Sequence, residues 1–378
     1  MELRHRYPAI RYLEARAKQR MPRFAWEFYD SGTGNDVTAA KNKTAFEAVE
    51  LTPKFMRGQF DPDTSTTLFG DTYSVPFGVA PVGMNAIGWP GTDRILARAA
   101  ARHRFPYSMS TAASETPETL GPLAQGMGWF QLYPPRSANL RSDLLARARE
   151  AGFTTLLVTV DVPAISRRER QMRAGLGSVS PTARMLLDAA LRPSWLLATA
   201  QAGKPRMLTL ERYADPGNAQ GFLQFVNDEL NGTFDWNYVD ALRTEWDGPI
   251  VLKGILDPDE AREALEHGVD GILVSNHGGR QLDAAPPSIE ALPRIADVVG
   301  DRVRLLLDSG VRSGLDIARA LALGADFVLC GRAFMYAIAA LGERGGDHVF
   351  ELLRDDLKSN MSNLGCKTIS ELRERSAA

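Results

Sequence analysis

The run Ser275-Asn276-His277-Gly278-Gly279-Arg280-Gln281-Leu282-Asp283 places a histidine and an arginine three residues apart on a glycine-softened loop. The apolar stretch Gly271-Ile272-Leu273-Val274 before it reads as a buried strand, so both side chains stand at a strand's C-terminal end. A base beside a fixed cation suits removal of a proton from a small carboxylic acid. To be a strong base, His277 needs a carboxylate that orients its ring and stabilises the cation formed. Asp161, at the end of the apolar run 155–160, is the best candidate. Arg280 can grip a carboxylate through two parallel hydrogen bonds, and Arg168 can assist. Tyr133 offers a hydroxyl to a substrate oxygen.

Lys253 closes another apolar run, 249–252, where an unpaired ammonium is costly. It must face an electron-rich partner. That partner is a substrate carbonyl held as a Schiff base, a reduced flavin ring, or the carboxylate of a structural salt bridge. Arg312 and Arg332 follow glycine-bearing turns, Asp308-Ser309-Gly310-Val311-Arg312 and Gly331-Arg332, at the ends of two further strand-like runs. Exposed backbone N–H groups in such turns, with added positive charge, suit a phosphate.

These positions need a scaffold, and the chain offers eight strand candidates: 76–80, 105–108, 129–133, 155–160, 249–252, 271–274, 303–307 and 327–330. Amphipathic stretches such as 93–103, 140–151, 257–267 and 314–323 lie between them, and Gly152, Gly268 and Gly324 read as helix C-caps. Eight such units predict a (β/α)8 TIM barrel, with function at the C-terminal strand ends. A doubly wound open sheet is the alternative, but no glycine-rich dinucleotide fingerprint follows the first strand. Residues 1–378 read as a single domain. Residues 1–70 form an N-terminal extension, with a helix over about 10–30 that ends at Ser31-Gly32-Thr33-Gly34. Residues 165–245 form an insertion after strand four, of a size usual for a lid or a docking element. Within it, 183–202 is rich in Leu, Ala and Met and carries Arg184, Arg192 and Trp195. It reads as an amphipathic helix resting on a membrane surface, as a helix packed on the barrel, or as a disordered loop.

Bulk composition narrows the remaining choices. The 378 residues are 44% hydrophobic and 24% charged, as in soluble globular proteins. A net charge of -2 gives no electrostatic reason to expect nucleic acid. Two cysteines, Cys330 and Cys366, support neither a disulfide framework nor a cysteine metal site. No signal peptide or membrane-spanning stretch is visible, so the cytoplasm is the expected compartment.

Together, Phe130-Gln131-Leu132-Tyr133, Thr159-Val160-Asp161, Leu252-Lys253-Gly254, the 275–283 run, Leu307 through Arg312 and Cys330-Gly331-Arg332 resemble the FMN-dependent L-2-hydroxy acid oxidase and dehydrogenase family. That family includes glycolate oxidase, quinone-linked L-lactate dehydrogenase and mandelate dehydrogenase. The segment from Trp246-Asp247-Gly248-Pro249 through Ile255-Leu256-Asp257-Pro258 looks most like the bacterial lactate dehydrogenase branch.

The resemblance implies a substrate and a cofactor. A small 2-hydroxy acid loses a proton to His277, which Asp161 orients, while Arg280 and Arg168 bind the carboxylate and Tyr133 the hydroxyl. Lys253 stabilises reduced FMN. Pro81, Val82, Gly83, Ser110, Gln131, Thr159 and Ser275 contact the flavin. Asp308 holds the ribityl chain, and Gly310, Arg312, Gly331 and Arg332 hold the phosphate. Two electrons leave the C2–H as hydride or through a carbanion. Glycine at Gly83 tends to accompany dehydrogenases, and alanine there oxidases, so a quinone or another non-oxygen acceptor is expected, with peripheral attachment at the inner face of the cytoplasmic membrane; the alternatives are an oxidase using oxygen and a flavin-binding protein with little turnover. A homo-oligomer, tetrameric by resemblance, is expected too. Two positions depart from the family pattern: Phe28 stands where a tyrosine usually binds the substrate carboxylate, and Val82 where a threonine often reaches the flavin. Phe28 shifts the expected substrate from lactate or glycolate towards a larger acid with an apolar side chain.

Overall fold

A computed structural model describes residues 2–177, 181–214, 217–230 and 234–375. Eight parallel strands form a closed barrel: β1 (Phe77–Val79), β2 (Tyr107–Ser110), β3 (Gly128–Leu132), β4 (Thr155–Thr159), β5 (Ile250–Ile255), β6 (Gly271–Val274), β7 (Arg304–Leu307) and β8 (Phe327–Cys330). Val328 of β8 pairs with Phe77 of β1, so the barrel itself has no open edge. Apart from Gly254 and Arg304, every barrel-strand residue is buried. Burial on both faces is why the strands read as continuous apolar runs. Gly152, Gly268 and Gly324 have φ of 85°, 63° and 110°, as the expected caps require.

Some boundaries differ from the sequence expectation. The second strand starts at Tyr107, because Pro106 has no N–H for the ladder. The fifth runs on through Lys253 and Gly254 to Ile255, with a register shift against β6 between Lys253 and Ile255. The helix expected over 10–30 is two helices, Ile10–Arg20 and Arg23–Asp30. Met21 between them is extended (φ -91°, ψ 144°), the conformation favoured before a proline. The segment 183–202 likewise divides into Ala183–Ala190 and Pro193–Ala202, with Pro193 opening the second helix.

The extension reaches both ends of the barrel. A hairpin, Thr66–Leu68 with Asp71–Tyr73, closes the N-terminal end. There the Trp129 indole donates to the Tyr73 hydroxyl (3.2 Å), and the Tyr73 and Phe327 rings lie 5.7 Å apart. The Arg23–Asp30 helix lies at the opposite end, where its residues Phe28 and Tyr29 line the cavity that also holds His277. The insertion covers the same end. Its Trp195 is buried and donates to the Gly88 carbonyl (2.9 Å), which ties the Pro193–Ala202 helix to the barrel mouth.

Candidate active site

The cavity at the C-terminal strand ends gathers most of the residues singled out from the sequence. Pro81, Val82, Gly83, Tyr133, Arg168, Lys253, His277, Arg280, Asp308, Gly310, Arg312, Gly331 and Arg332 all line it. Asp161, Ser110, Gln131, Thr159 and Ser275 stand outside its lining; Asp161 bonds His277, and Ser275 bonds both His277 and Lys253, which face it.

His277 is held in the left-handed region (φ 57°), a conformation costing about 1–3 kcal/mol for a non-glycine residue. Three side chains grip the loop around it. Ser275 Oγ accepts from the His277 N–H (3.0 Å), Asn276 Oδ1 from the Gly279 N–H (3.1 Å) and Ser309 Oγ from the Gly278 N–H (2.9 Å). The imidazole is thereby aimed with Nδ1 at 2.9 Å from Asp161 Oδ1 and Nε2 at 3.4 Å from the Tyr133 hydroxyl. Nδ1 carries the proton shared with the carboxylate, and Nε2 is the free base. Burial pushes the His277 pKa below the ordinary imidazole range, with Lys253 and Arg168 adding to it and Asp161 opposing. Burial alone would raise the Asp161 pKa, but the facing charges of His277 and Lys253 hold it below the ordinary carboxylate range.

Asp161 fits behind His277 because residue 254 has no side chain. Gly254 sits at the β5 irregularity with φ of 115°, and a Cβ there would lie 2.6 Å from Asp161 Cγ. The same irregularity follows Lys253, whose Nζ donates to Ser275 Oγ (3.0 Å) and lies 3.6 Å from Asp308 Oδ2. Burial disfavours this ammonium, yet Asp308 and Asp161 outweigh it, so Lys253 stays charged.

Beneath the cavity, three buried side chains form a polar shelf across neighbouring strands. Ser110 Oγ donates to Gln131 Oε1, and Gln131 Nε2 donates to Thr159 Oγ1, each at 2.9 Å.

The arginines divide the cavity by function. Arg280 Nη1 donates to the Phe28 and Ser31 carbonyls, both at 2.9 Å, which fixes the guanidinium while it faces the cavity. Arg168 is steadied by Ser166 (3.1 Å) and Gln281 (3.3 Å). Burial lowers the pKa of both, and for Arg280 the neighbouring Arg168 and Arg332 charges lower it further. Crowded, desolvated cations of this kind are relieved by an anion between them. Arg332 donates to the carbonyls of Tyr29, Gly278 and Ser31 at 2.9, 2.9 and 3.0 Å, so its side chain ties the mouth together. The buried Arg312 Nε, by contrast, has no hydrogen-bond partner among the described residues.

Three features of the site were not singled out from the sequence. Asn276 pairs with Asn42 of the Val37–Glu47 helix through two side-chain hydrogen bonds (2.8 and 2.7 Å). Ser309 joins Asp308 Oδ1 (2.7 Å) to the His277 loop. Both lie inside the quoted motifs, so a signal was present. Met207, from the insertion, also lines the cavity, and no pattern in its stretch of sequence announces it.

The described side chains suit a phosphate-bearing planar cofactor. The orphaned Arg312 Nε and the start of the Arg332–Leu341 helix face one end of the cavity. A Cβ on Gly331 would meet nothing closer than 3.7 Å, so the backbone there is open to a ligand. The model for the family described as FMN-dependent dehydrogenase matches residues 17–378. An L-lactate dehydrogenase of Xanthomonas euvesicatoria pv. vesicatoria (strain 85-10) is 38% identical over 360 residues, covering 95% of this chain and 93% of that protein. The crystal structure of the monotopic membrane protein (S)-mandelate dehydrogenase superposes with a TM-score of 0.91 at 31% identity, covering 96% of this chain and 97% of the other. A mandelate oxidase solved with (S)-2-phenylpropionate gives a TM-score of 0.84 at 33% identity, covering 98% of each chain. Geometry, whole-length sequence similarity and fold thus agree that this chain belongs to the FMN-dependent dehydrogenase family.

Proposed function

We propose that this protein oxidises an L-2-hydroxy acid to the 2-oxo acid, with Arg168 and Arg280 binding the carboxylate and His277 serving as base. The observation that carries the reading is the Asp161–His277–Tyr133 chain (2.9 and 3.4 Å) beside two crowded guanidiniums and a buried ammonium. The chemistry supplied by bound FMN is acceptance of two electrons from C2. The chain's own residues do the rest. His277 takes a proton at Nε2, and Asp161 stabilises the imidazolium at Nδ1. Tyr133 directs its hydroxyl at the substrate oxygen. Lys253 would offer a positive charge to the reduced ring, and Arg312 with the helix start beyond Gly331 would hold the cofactor phosphate. Ser110, Gln131 and Thr159, bonded to one another, would form the polar shelf beneath the ring. Phe28, whose ring centroid is 5.8 Å from Arg280 Cζ, gives the carboxylate no hydrogen bond. An acid with an apolar substituent larger than methyl compensates through burial.

The experiment is an anaerobic titration of the purified yellow protein with L-lactate and then L-mandelate. Bleaching of the flavin band, stronger with mandelate, is expected. A flavin band that neither acid bleaches would overturn the reading.

The acceptor follows from the surface of the insertion. Leu187, Leu191 and Leu197 are 64%, 63% and 61% exposed; Leu186 and Leu187 lie on helix 183–190, Leu196 and Leu197 on helix 193–202, and Leu191 in the turn between them. Arg184 and Arg192 lie in the same stretch, a composition suited to a surface of anionic lipid. No helix among the described residues is long and apolar enough to cross a membrane. The leucine face is therefore read as a peripheral membrane contact, and a membrane quinone as the electron acceptor. The monotopic neighbour supports the same reading.

A further inference from the structure

We infer that Met207, delivered over the cavity by the insertion and clipped in place by Arg147, determines which 2-hydroxy acid the enzyme prefers. The inference rests on the 2-hydroxy acid reading above and adds a residue that decides selectivity. Once Arg168 and Arg280 hold the carboxylate and Tyr133 and His277 the hydroxyl, only the C2 substituent remains to be placed. The cavity wall not occupied by those groups, or by the glycine-bearing turns of the cofactor end, includes Phe28, Met84, Ala112 and Met207. None of the four carries a charge, so this part of the site suits an apolar substituent. Apart from Arg168, Met207 is the insertion's sole contribution to the cavity lining among the described residues.

Met207 does not sit there loosely. Two residues on, Thr209 is fully buried, its carbonyl accepts from Arg147 Nη1 (3.1 Å), and its hydroxyl donates to the Glu115 carbonyl (2.9 Å). Arg147 rises from the Ala138–Glu150 helix, binds Glu118 through two bonds (2.7 and 3.1 Å) and donates to the Tyr213 hydroxyl (2.9 Å). Arg147 holds the Glu118 carboxyl down to about 2, so the clip stays charged across the working pH range. The Met207 segment is thus pinned against the loop after β2, which also carries Ala112. A thioether side chain is soft and unbranched, and it packs against alkyl chains and aromatic edges alike. Substituents larger than the methyl of lactate offer Met207 more apolar surface to pack against. The substrate class is therefore L-2-hydroxy acids with an extended alkyl or aryl group at C2.

The test compares kcat/KM for L-mandelate and L-2-hydroxyhexanoate with that for L-lactate, in the flavin-loaded wild type, Met207→Trp and Met207→Gln. Met207→Trp fills the wall and should lower both ratios by about 10- to 100-fold. Met207→Gln keeps the volume but places an amide against the substituent, and should lower them by about 10-fold. The loss should fall mainly on KM for the larger acids. Unchanged ratios in both variants, with the flavin still bleached by the acids, would overturn the role of Met207 and leave the reaction standing. Failure of every acid to bleach the wild-type flavin would instead sink the reading beneath it.

Discussion

At the scale of single residues, the account rests on His277 being neutral when substrate arrives. Burial together with the Lys253 and Arg168 charges keeps its pKa below the ordinary range, so the free base persists into mildly acid solution. The rate of flavin reduction should therefore fall only as pH drops below about 6.5, the usual imidazole value. Asp161→Asn removes the anion that favours imidazolium. It should move that acid limb to still lower pH while slowing the reaction, a pair of effects read from a pH–rate profile. A limb that moved upward would contradict the assignment. Phe28→Tyr tests the missing hydrogen bond to the substrate carboxylate. A phenol beside Arg280 should tighten binding of lactate by about 1.5–3 kcal/mol, roughly 10- to 150-fold, as measured by its Kd in a slow variant. Unchanged affinity would mean that Arg168 and Arg280 already saturate the carboxylate.

At the scale of elements, the positions of His277 and Asp161 depend on local backbone exceptions. The β5 irregularity at Gly254 is the sharpest, because Asp161 occupies the space a Cβ would need. Gly254→Ala should retain FMN yet slow reduction by about 100-fold, since a displacement near 1 Å at Asp161 misaims the base. Equal loss of flavin and activity would instead indicate a collapsed strand. Much of this level was legible beforehand. Eight apolar runs with polar ends marked the barrel, and the run around His277 marked its mouth, because strands buried on both faces leave an uninterrupted apolar signal. The helix breaks at Pro22 and Pro193 were less legible, since apolar periodicity continues across each proline. The Asn42–Asn276 pair and the Arg147–Thr209 clip link residues 234 and 62 positions apart, which no local pattern reports.

At the scale of the whole molecule, one end of the barrel does everything. The N-terminal extension supplies Phe28 and the carbonyls that fix Arg280 and Arg332, while the insertion supplies Arg168, Met207 and the leucine face. Arg170 binds the two together, reaching Glu27 (2.5 Å), Asp30 (2.7 Å) and Asp36 (2.6 Å) across the mouth. The proposed chemistry and the proposed acceptor contact thereby share one end of the barrel. Replacing Leu187 and Leu197 together by Glu should reduce co-sedimentation with anionic lipid vesicles by about 10-fold or more while flavin reduction by acid continues. Unaltered sedimentation would remove the membrane face from the account. The sequence located the insertion and its leucine-rich stretch, but which leucines face outward depended on Trp195 anchoring the second helix to Gly88.

The most direct test of the central claim is anaerobic stopped-flow reduction of the flavin-loaded His277→Gln variant by L-mandelate. The account predicts a protein that keeps its yellow colour and binds the acid, with reduction slowed by about 10²- to 10⁴-fold, the contribution expected of a positioned base. Reduction at the wild-type rate would contradict it.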